Sequence, residues 1–428
     1  MKKKKIISLF SGCGGMDLGF EGGFTTHEHS INQSIHPEWI DSHVKYNWVK
    51  LKQTSFMTSF ANDIRLGAKS AWVPYFQKRG NIRAEEVFHL DSIVELVKRA
   101  KNGGGKLFGK KIDLITGGFP CQDFSVAGKR GGFSSSKNHL GTQLDENDDP
   151  TKENRGMLYM WMREVINIVQ PKMFIAENVK GLVSLKDAKE IIEKDFRNIG
   201  DGGYLVVPAK ILNAGNYGVP QNRERVFFYG FRKKSLKNKA LKQLNNFDIH
   251  PDYDPYPRIT HFLTRKVELN NSENLREFVP VKMVLSDLLE PIFASDLSQK
   301  SYSKAKWYGK HVQGQTEIDL DGLAPTIRSE HHGNIEFRRL NKRHGGKNLN
   351  ELKKGWGERR LTVRECARIQ TFPDDYEFVR KLNKANNEFN LSGSEAYKLI
   401  GNAVPPLLAF NIAMRLESIW SRLFRESK

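Results

Sequence analysis

Five short clusters of polar residues stand where this sequence could do chemistry, each beside an apolar run. Pro120-Cys121 follows Gly117-Gly118. A cysteine in a polar, glycine-rich turn exposes its sulfur, and a thiolate stabilised by amides or a nearby cation is a nucleophile. The competing reading is a small buried side chain. Glu177-Asn178-Val179 closes the run Met173 to Ala176. A half-buried carboxyl there gains proton affinity and suits a general acid near neutral pH, or it caps the next segment. In Gln221-Asn222-Arg223-Glu224-Arg225 an extended chain would put Arg223 and Arg225 on one face and Glu224 on the other. Two guanidinium groups there can grip a carbonyl oxygen and a phosphate, although such clusters are often plain solvated surface.

The other two clusters would bind rather than react. Phe10-Ser11-Gly12-Cys13-Gly14-Gly15 lets the backbone approach a ligand at the start of a helix. Gly12 and Gly14 match the first two glycines of a dinucleotide fingerprint, but the third position is Asp17, so a nucleoside without a pyrophosphate is the better fit. A tight turn without a ligand is the alternative. In Asn62-Asp63-Ile64 the carboxylate can accept from an adenine amino group while Ile64 covers the ring, or Asp63 is a helix N-cap. A zinc deaminase also carries Pro-Cys, but its second cysteine position is Phe124 here, which excludes that chemistry. The three cysteines, Cys13, Cys121 and Cys366, are far apart, so neither a disulfide framework nor a structural metal site is expected.

The elements that must position these residues alternate. Ile6 to Phe10, Lys111 to Thr116, Met173 to Ala176, Ile211 to Asn213 and Arg225 to Tyr229 predict strands. Ala84 to Ala100, Met157 to Val169 and 188–198 predict helices. Phe24 to Asn32 is too polar for a clear strand, and 38–58 reads as irregular. Residues 128–156 read as a long polar loop, a length that usually serves function. This is an α/β pattern with a mostly parallel sheet, whose carboxyl edge is where ligands bind. From 231 the chain turns basic and proline-containing, and Arg338 to Arg364 holds ten Lys or Arg against two Glu. Residues 231–393 therefore read as a second, loop-rich domain, and 394–428 as a helical return that completes a first domain of 1–230.

The chain has 428 residues, 68 basic and 49 acidic, for a net charge of +19. That surplus points to a polyanion, nucleic acid before membrane. The apolar run after Lys2–Lys5 spans about five residues, short of the roughly 7–15 of a signal peptide. No apolar stretch of about 18 residues is evident, so no membrane span is expected. The expectation is a cytoplasmic monomer.

Taken in order, the five clusters resemble the DNA (cytosine-5) methyltransferases, particularly the bacterial modification enzymes of type II restriction–modification systems. Arg359 to Pro373 and Tyr397 to Pro406 resemble two further motifs of that family. The similarity covers 6–23, 60–64, 111–133, 154–182, 213–230 and 359–410. It implies a Rossmann-like S-adenosylmethionine-dependent domain with a mixed, mostly parallel sheet, plus a smaller target-recognition domain that reads double-stranded DNA. It also implies methyl transfer to C5 of a flipped-out cytosine through a covalent adduct with Cys121, with Glu177, Arg223 and Arg225 completing the catalytic set. The cofactor would contact Phe10, Ser11, Gly12, Gly14, Gly15, Asp63, Ile64, Pro120, Asn402 and Val404. Ser125, Lys129 and Arg130 would close on DNA, while Arg328, His331 and His332 would reach bases and Lys233 and Lys234 phosphates.

The chain departs from the pattern at three places. No carboxylate lies about 20 residues after the glycine turn, where a ribose-binding acid is expected, so Gln33 is assigned that role. The stretch 65–110 is long enough to contain an insertion. Asp123 stands where proline is common. An RNA methyltransferase, a non-catalytic DNA-binding relative and a nicotinamide dehydrogenase remain alternatives. The long 231–358 region, the intact Cys121, Glu177 and Arg225, and the missing third glycine argue against each in turn.

Overall fold

A computed structural model describes residues 3–80, 83–103, 107–120, 158–184, 187–200, 202–264, 274–329, 334–382 and 388–426. Along the chain its first ten strands are β1 (Lys4–Leu9), β2 (Thr25–His27), β3 (Ile40–Lys45), β4 (Trp48–Leu51), β5 (Phe56–Asp63), β6 (Phe88–Leu90), β7 (Leu114–Gly118), β8 (Met173–Val179), β9 (Tyr204–Asn213) and β10 (Glu224–Arg232). The helices among them are α1 (Gly15–Glu21), α2 (Leu66–Lys78), α3 (Ala84–Val87), α4 (Ile93–Lys101), α5 (Leu158–Val169) and α6 (Ala188–Arg197). Seven strands form one sheet in the order β6-β5-β1-β7-β8-β10-β9. β6, β5, β1, β7 and β8 pair parallel, while β10 runs antiparallel to both neighbours.

Period-2 alternation sorts the apolar side chains onto two faces. Ile6, Leu114, Ile175 and Phe227 enter one core layer with Trp72 of α2. Ile7, Ile115, Phe174 and Phe228 enter the other, with Leu96 of α4, Met162 of α5 and Ile192 of α6. A sheet covered on both faces needs strands that are apolar on both sides, and β1, β7 and β8 have that character.

Two sequence expectations change. Residues 38–58 are not irregular: β2, β4 and β3 form a separate antiparallel sheet between α1 and β5. Its β3 strand is almost wholly exposed, which hides the apolar signal. Ala84 to Ala100 is not one helix. Phe88–Leu90 pairs with the edge of β5, and Ser92 then caps α4 by accepting from the Val94 amide.

The described residues beyond β10 are mostly loops and short helices: α7 (Asn238–Leu244), α8 (Val281–Leu285), α9 (Leu297–Lys300), α10 (Leu349–Lys353) and α11 (Val363–Ile369). It closes with α12 (Gly393–Asn402) and α13 (Pro406–Leu423). Gly19 lets α13 lie directly on α1, since a Cβ there would collide with the Pro406 carbonyl oxygen. Contrary to the sequence reading, Gly393–Leu423 is long and apolar enough to cross a membrane by length and composition. Yet 78% of its most apolar window is buried inside the fold, as befits core helices.

Candidate functional site

At the carboxyl edge of the large sheet lies a cavity of about 570 Å³. It is lined by the ends of β1, β5, β7 and β8, the starts of α4 and β10, and the α12 end through Val404. The turn after β1 bends sharply: Phe10 has φ 54°, a conformation costly for a side-chain-bearing residue, and Gly12 has φ 54°. A side chain at Gly12 would meet nothing within 4 Å, so the backbone faces open space there. Gly14 serves packing and does not line the cavity, while Gly15 packs and also lines it. A Cβ at Gly14 would lie 2.5 Å from the Trp72 ring, and one at Gly15 would collide with the Val404 carbonyl. Asp17, the acid at the third glycine position, turns inward: Trp72 donates to it at 2.7 Å, and burial raises its pKa to about 7.

Asp63 ends β5, the strand beside β1. One carboxylate oxygen accepts from the Gly12 amide at 3.0 Å and the other from the Arg65 amide at 2.9 Å. Burial pushes its pKa up, against the opposing pull of Arg65 and these amides. Ile64 beside it is 44% exposed and lines the cavity.

At the other end, Gly118 of β7 is in register with Glu177 of β8. A Cβ at 118 would lie 2.8 Å from the Glu177 carboxylate, so glycine makes room for it. Arg225 Nε lies 3.1 Å from Glu177, both side chains nearly buried. Burial raises the Glu177 pKa, opposed by Arg225 and then Arg223. Next in the chain, Asn178 donates from its amide to the Phe119 carbonyl at 3.2 Å. That bond holds the Phe119-Pro120 turn, and Pro120 itself lines the cavity.

The arrangement is a nucleoside-sized cleft with a buried acid–guanidinium pair at one end and a tethered proline turn beside it. The family model for the C-5 cytosine-specific DNA methylases matches residues 49–418. The chain belongs to that family. It is a DNA (cytosine-5) methyltransferase. It is 31% identical to the type II methyltransferase M.BspRI of Lysinibacillus sphaericus, over 96% of this chain and 81% of that one. It is 30% identical to M.BsuRI of Bacillus subtilis, over 99% and 81%. Its fold is also that of the S. pombe Dnmt2 methyltransferase (TM-score 0.51, 16% identity, 97% of this chain and 99% of that one).

In this methyltransferase the cavity brings together Phe10, Ser11, Gly12, Gly15, Asp63, Ile64, Pro120, Glu177, Arg225, Asn402 and Val404. Cys121, Ser125, Lys129, Arg130, His331 and His332 lie outside the described residues. Three assignments change. Gln33 does not line the cavity; its turn is tied away, with the Asn32 amide donating to the Thr260 and Asn274 carbonyls. Arg223 cannot grip a phosphate, because it is fully buried and donates to the carbonyls of Ile327, Gly401 and Ala403 at 2.8–2.9 Å. It is a positioning residue that fixes the α12 end against β10. Arg328 donates to Gln313 and Asn334, both at 2.8 Å, and pairs with Glu336 at 3.3 Å. It braces a loop instead of presenting free donors to bases.

Lys233 and Lys234 follow the far end of β10, which pairs with the start of β8. They therefore sit at the amino edge, opposite the cavity. Sequence reasoning missed Ser92 and Ile93, which line the cavity after β6. The signal was present: a short apolar run, then Asp91-Ser92, then apolar residues at helical spacing. It also missed Gln370, which accepts from Gln221 at 2.7 Å and donates to the Ile400 carbonyl at 2.7 Å, tying the β10 approach to α12.

Proposed function

We propose that this enzyme transfers the methyl group of S-adenosylmethionine to C5 of one cytosine in a short, roughly palindromic double-stranded DNA site. In that reading it is the modification half of a type II restriction–modification system and protects host DNA. Residues 1–230 with 394–428 form the catalytic domain, and 231–393 the recognition domain. The observation that carries the reading is one cavity with a nucleoside-binding end at Asp63 and an acid–guanidinium end at Glu177 and Arg225.

The cavity volume falls inside the roughly 300–1,000 Å³ of ligand pockets, and its lining fits the cofactor. In doubly wound folds a carboxylate at the end of the strand beside β1 takes the ribose hydroxyls. Asp63 occupies that place, so the ribose role passes from Gln33 to Asp63. Ile64 and Ile93 offer apolar cover for the purine. S-adenosylmethionine, when bound, supplies the electrophilic methyl group that C5 takes.

The chain's own residues do the rest. C6 of a stacked cytosine is out of reach, so the base must leave the duplex at a cost of about a few kcal/mol. The Cys121 thiolate then bonds to C6, and the displaced electron pair moves to N3. Glu177 delivers a proton to N3, while Arg225 holds O2 and keeps the Glu177 carboxyl in place. After methylation solvent takes the C5 proton, the ring double bond re-forms as the sulfur–C6 bond breaks, and N3 returns its proton to Glu177.

Asp63→Ala should weaken S-adenosylmethionine binding about 10–100-fold by calorimetry, from losing a hydrogen bond to a charged group. Gln33→Ala should change it little, and the reverse ranking would return the ribose role to Gln33. The function itself is tested by expressing the enzyme beside a plasmid and sequencing the plasmid after bisulfite treatment. Protected cytosines should fall at a single short motif. Full conversion at every site would remove the proposal.

A further inference from the structure

Residues 303–310 cross the recognition region as neither helix nor strand, and their exposure alternates. Lys304, Lys306, Tyr308 and Lys310 face solvent, while Ser303, Ala305, Trp307 and Gly309 are half-buried. The alternation leaves Lys304 and Lys306 on the solvent side, and Lys310 joins them beyond a bend at Gly309, whose φ is 105°. A second basic segment lies alongside. Trp307 stacks on His344 with ring centres 4.4 Å apart and planes 12° from parallel. A Cβ at Gly345 would sit 3.6 Å from Lys310 Nζ. The turn around His344 exposes Lys342, Arg343 and Lys347.

Among the described residues these six cations form no ion pair, and Lys304 lies over the Tyr302 ring, 3.4 Å from its centre. The turn's own carboxylates are committed elsewhere. Glu317 accepts from the backbone amides of Leu340, Lys347 and Asn348, and Glu358 from the Asn341 amide and the His344 ring. A set of unpaired cations repels itself, so holding them together needs a rigid base. Buried Arg360 provides it, donating to the carbonyls of Ala305, Lys306 and Gly314 at 2.7–3.0 Å and also to Ile335.

The arm is tied to α12 at its start and, through Gln313 just beyond it, again near the end of α12. The Ser303 amide donates to the Tyr397 hydroxyl at 3.3 Å, next to Lys398 of the cavity lining. Three residues past the arm, Arg328 holds Gln313, and the Arg328 backbone packs against Gly401, next to Asn402 of the lining.

We propose that the 303–310 arm and the 342–347 turn form a single pre-organised face that grips the phosphate backbone of duplex DNA, with Arg328 and Arg360 as its internal braces. The proposal rests on the DNA-methylating function above and assigns this face affinity, not sequence choice. Exposed lysines without carboxylate partners carry no base code, whereas phosphates need only positive charge at fixed spacing.

The test measures binding of a target duplex and a non-target duplex against salt concentration. Lys306→Ala/Lys310→Ala and Lys342→Ala/Arg343→Ala should each flatten the log–log salt slope by about 0.9 for every phosphate no longer neutralised, roughly 2 per double variant. Both duplexes should weaken by the same factor. Lys233→Ala/Lys239→Ala removes the same charge from the opposite edge and should leave the slope near wild type. An unchanged slope in the first two variants, or a changed preference between duplexes, would overturn the proposal. Bisulfite sequencing of plasmid carrying the wild-type enzyme separates the two readings. If wild type methylates and the slopes do not move, only the phosphate face is wrong; if wild type does not methylate, the underlying function falls too.

Discussion

Cys121→Ser is expected to abolish methyl transfer while leaving S-adenosylmethionine and duplex DNA binding within a few-fold of wild type. C5 of cytosine is a weak nucleophile until a group adds at C6, and a serine hydroxyl is far less ionised than a thiol at neutral pH. The other two cysteines cannot substitute. Cys13 and Cys366 are fully buried, and burial pushes both thiols up, well away from thiolate formation. Cys121 directly follows Pro120, whose turn Asn178 anchors at the Glu177 end of the cavity. Single-turnover methylation and separate binding measurements distinguish the outcomes. Loss of binding along with rate would mean the residue shapes the site and does not react.

Glu177→Gln should lower turnover at least about 100-fold, the low end for general acid catalysis, with little change in cofactor affinity. The amide keeps the shape beside Gly118 but cannot deliver a proton to N3. The pH dependence has a definite sign. Burial raises the Glu177 pKa above an ordinary glutamate, so the proton is retained to higher pH. The rate controlled by this group should fall as pH rises through that raised value. The Cys121 thiolate requirement acts in the opposite sense, and wild type should show a bell. The Gln variant should lose the descending limb that belongs to Glu177. An unchanged rate would leave the carboxyl a purely structural partner of Arg225.

The acid–guanidinium end of the cavity is legible in the sequence because its residues lie at strand ends marked by apolar runs. Gly118, Glu177 and Arg225 converge because β7, β8 and β10 are neighbours, and their chain order matches their function. The nucleoside end is only half legible. Spacing puts the ribose acid about 20 residues after the glycine turn, but the β2–β4 sheet is inserted there. That insertion moves the strand beside β1, and with it Asp63, to residues 56–63. Strand adjacency is a tertiary fact that spacing along the chain does not encode. The same holds for Arg223 and Arg328. Arginine in a polar stretch reads as solvated, yet each is consumed by carbonyls or side chains brought from over 100 residues away or from a neighbouring loop. The β6 strand escapes detection because three residues flanked by two helices carry too little alternation to separate from them.

The central claim is a covalent adduct between Cys121 and C6 of a flipped cytosine, formed in the cavity that holds the methyl donor. A duplex carrying 5-fluorocytosine at the methylated position, mixed with wild-type enzyme and S-adenosylmethionine, tests it most directly. Fluorine cannot leave as a cation, so the final elimination is blocked after methyl transfer. The account predicts a denaturation-resistant protein–DNA complex whose digested peptide carries the modified nucleotide on Cys121, absent without cofactor and absent in Cys121→Ser. A complex that forms equally with Cys121→Ser, or none at all from enzyme that methylates ordinary DNA, would contradict it.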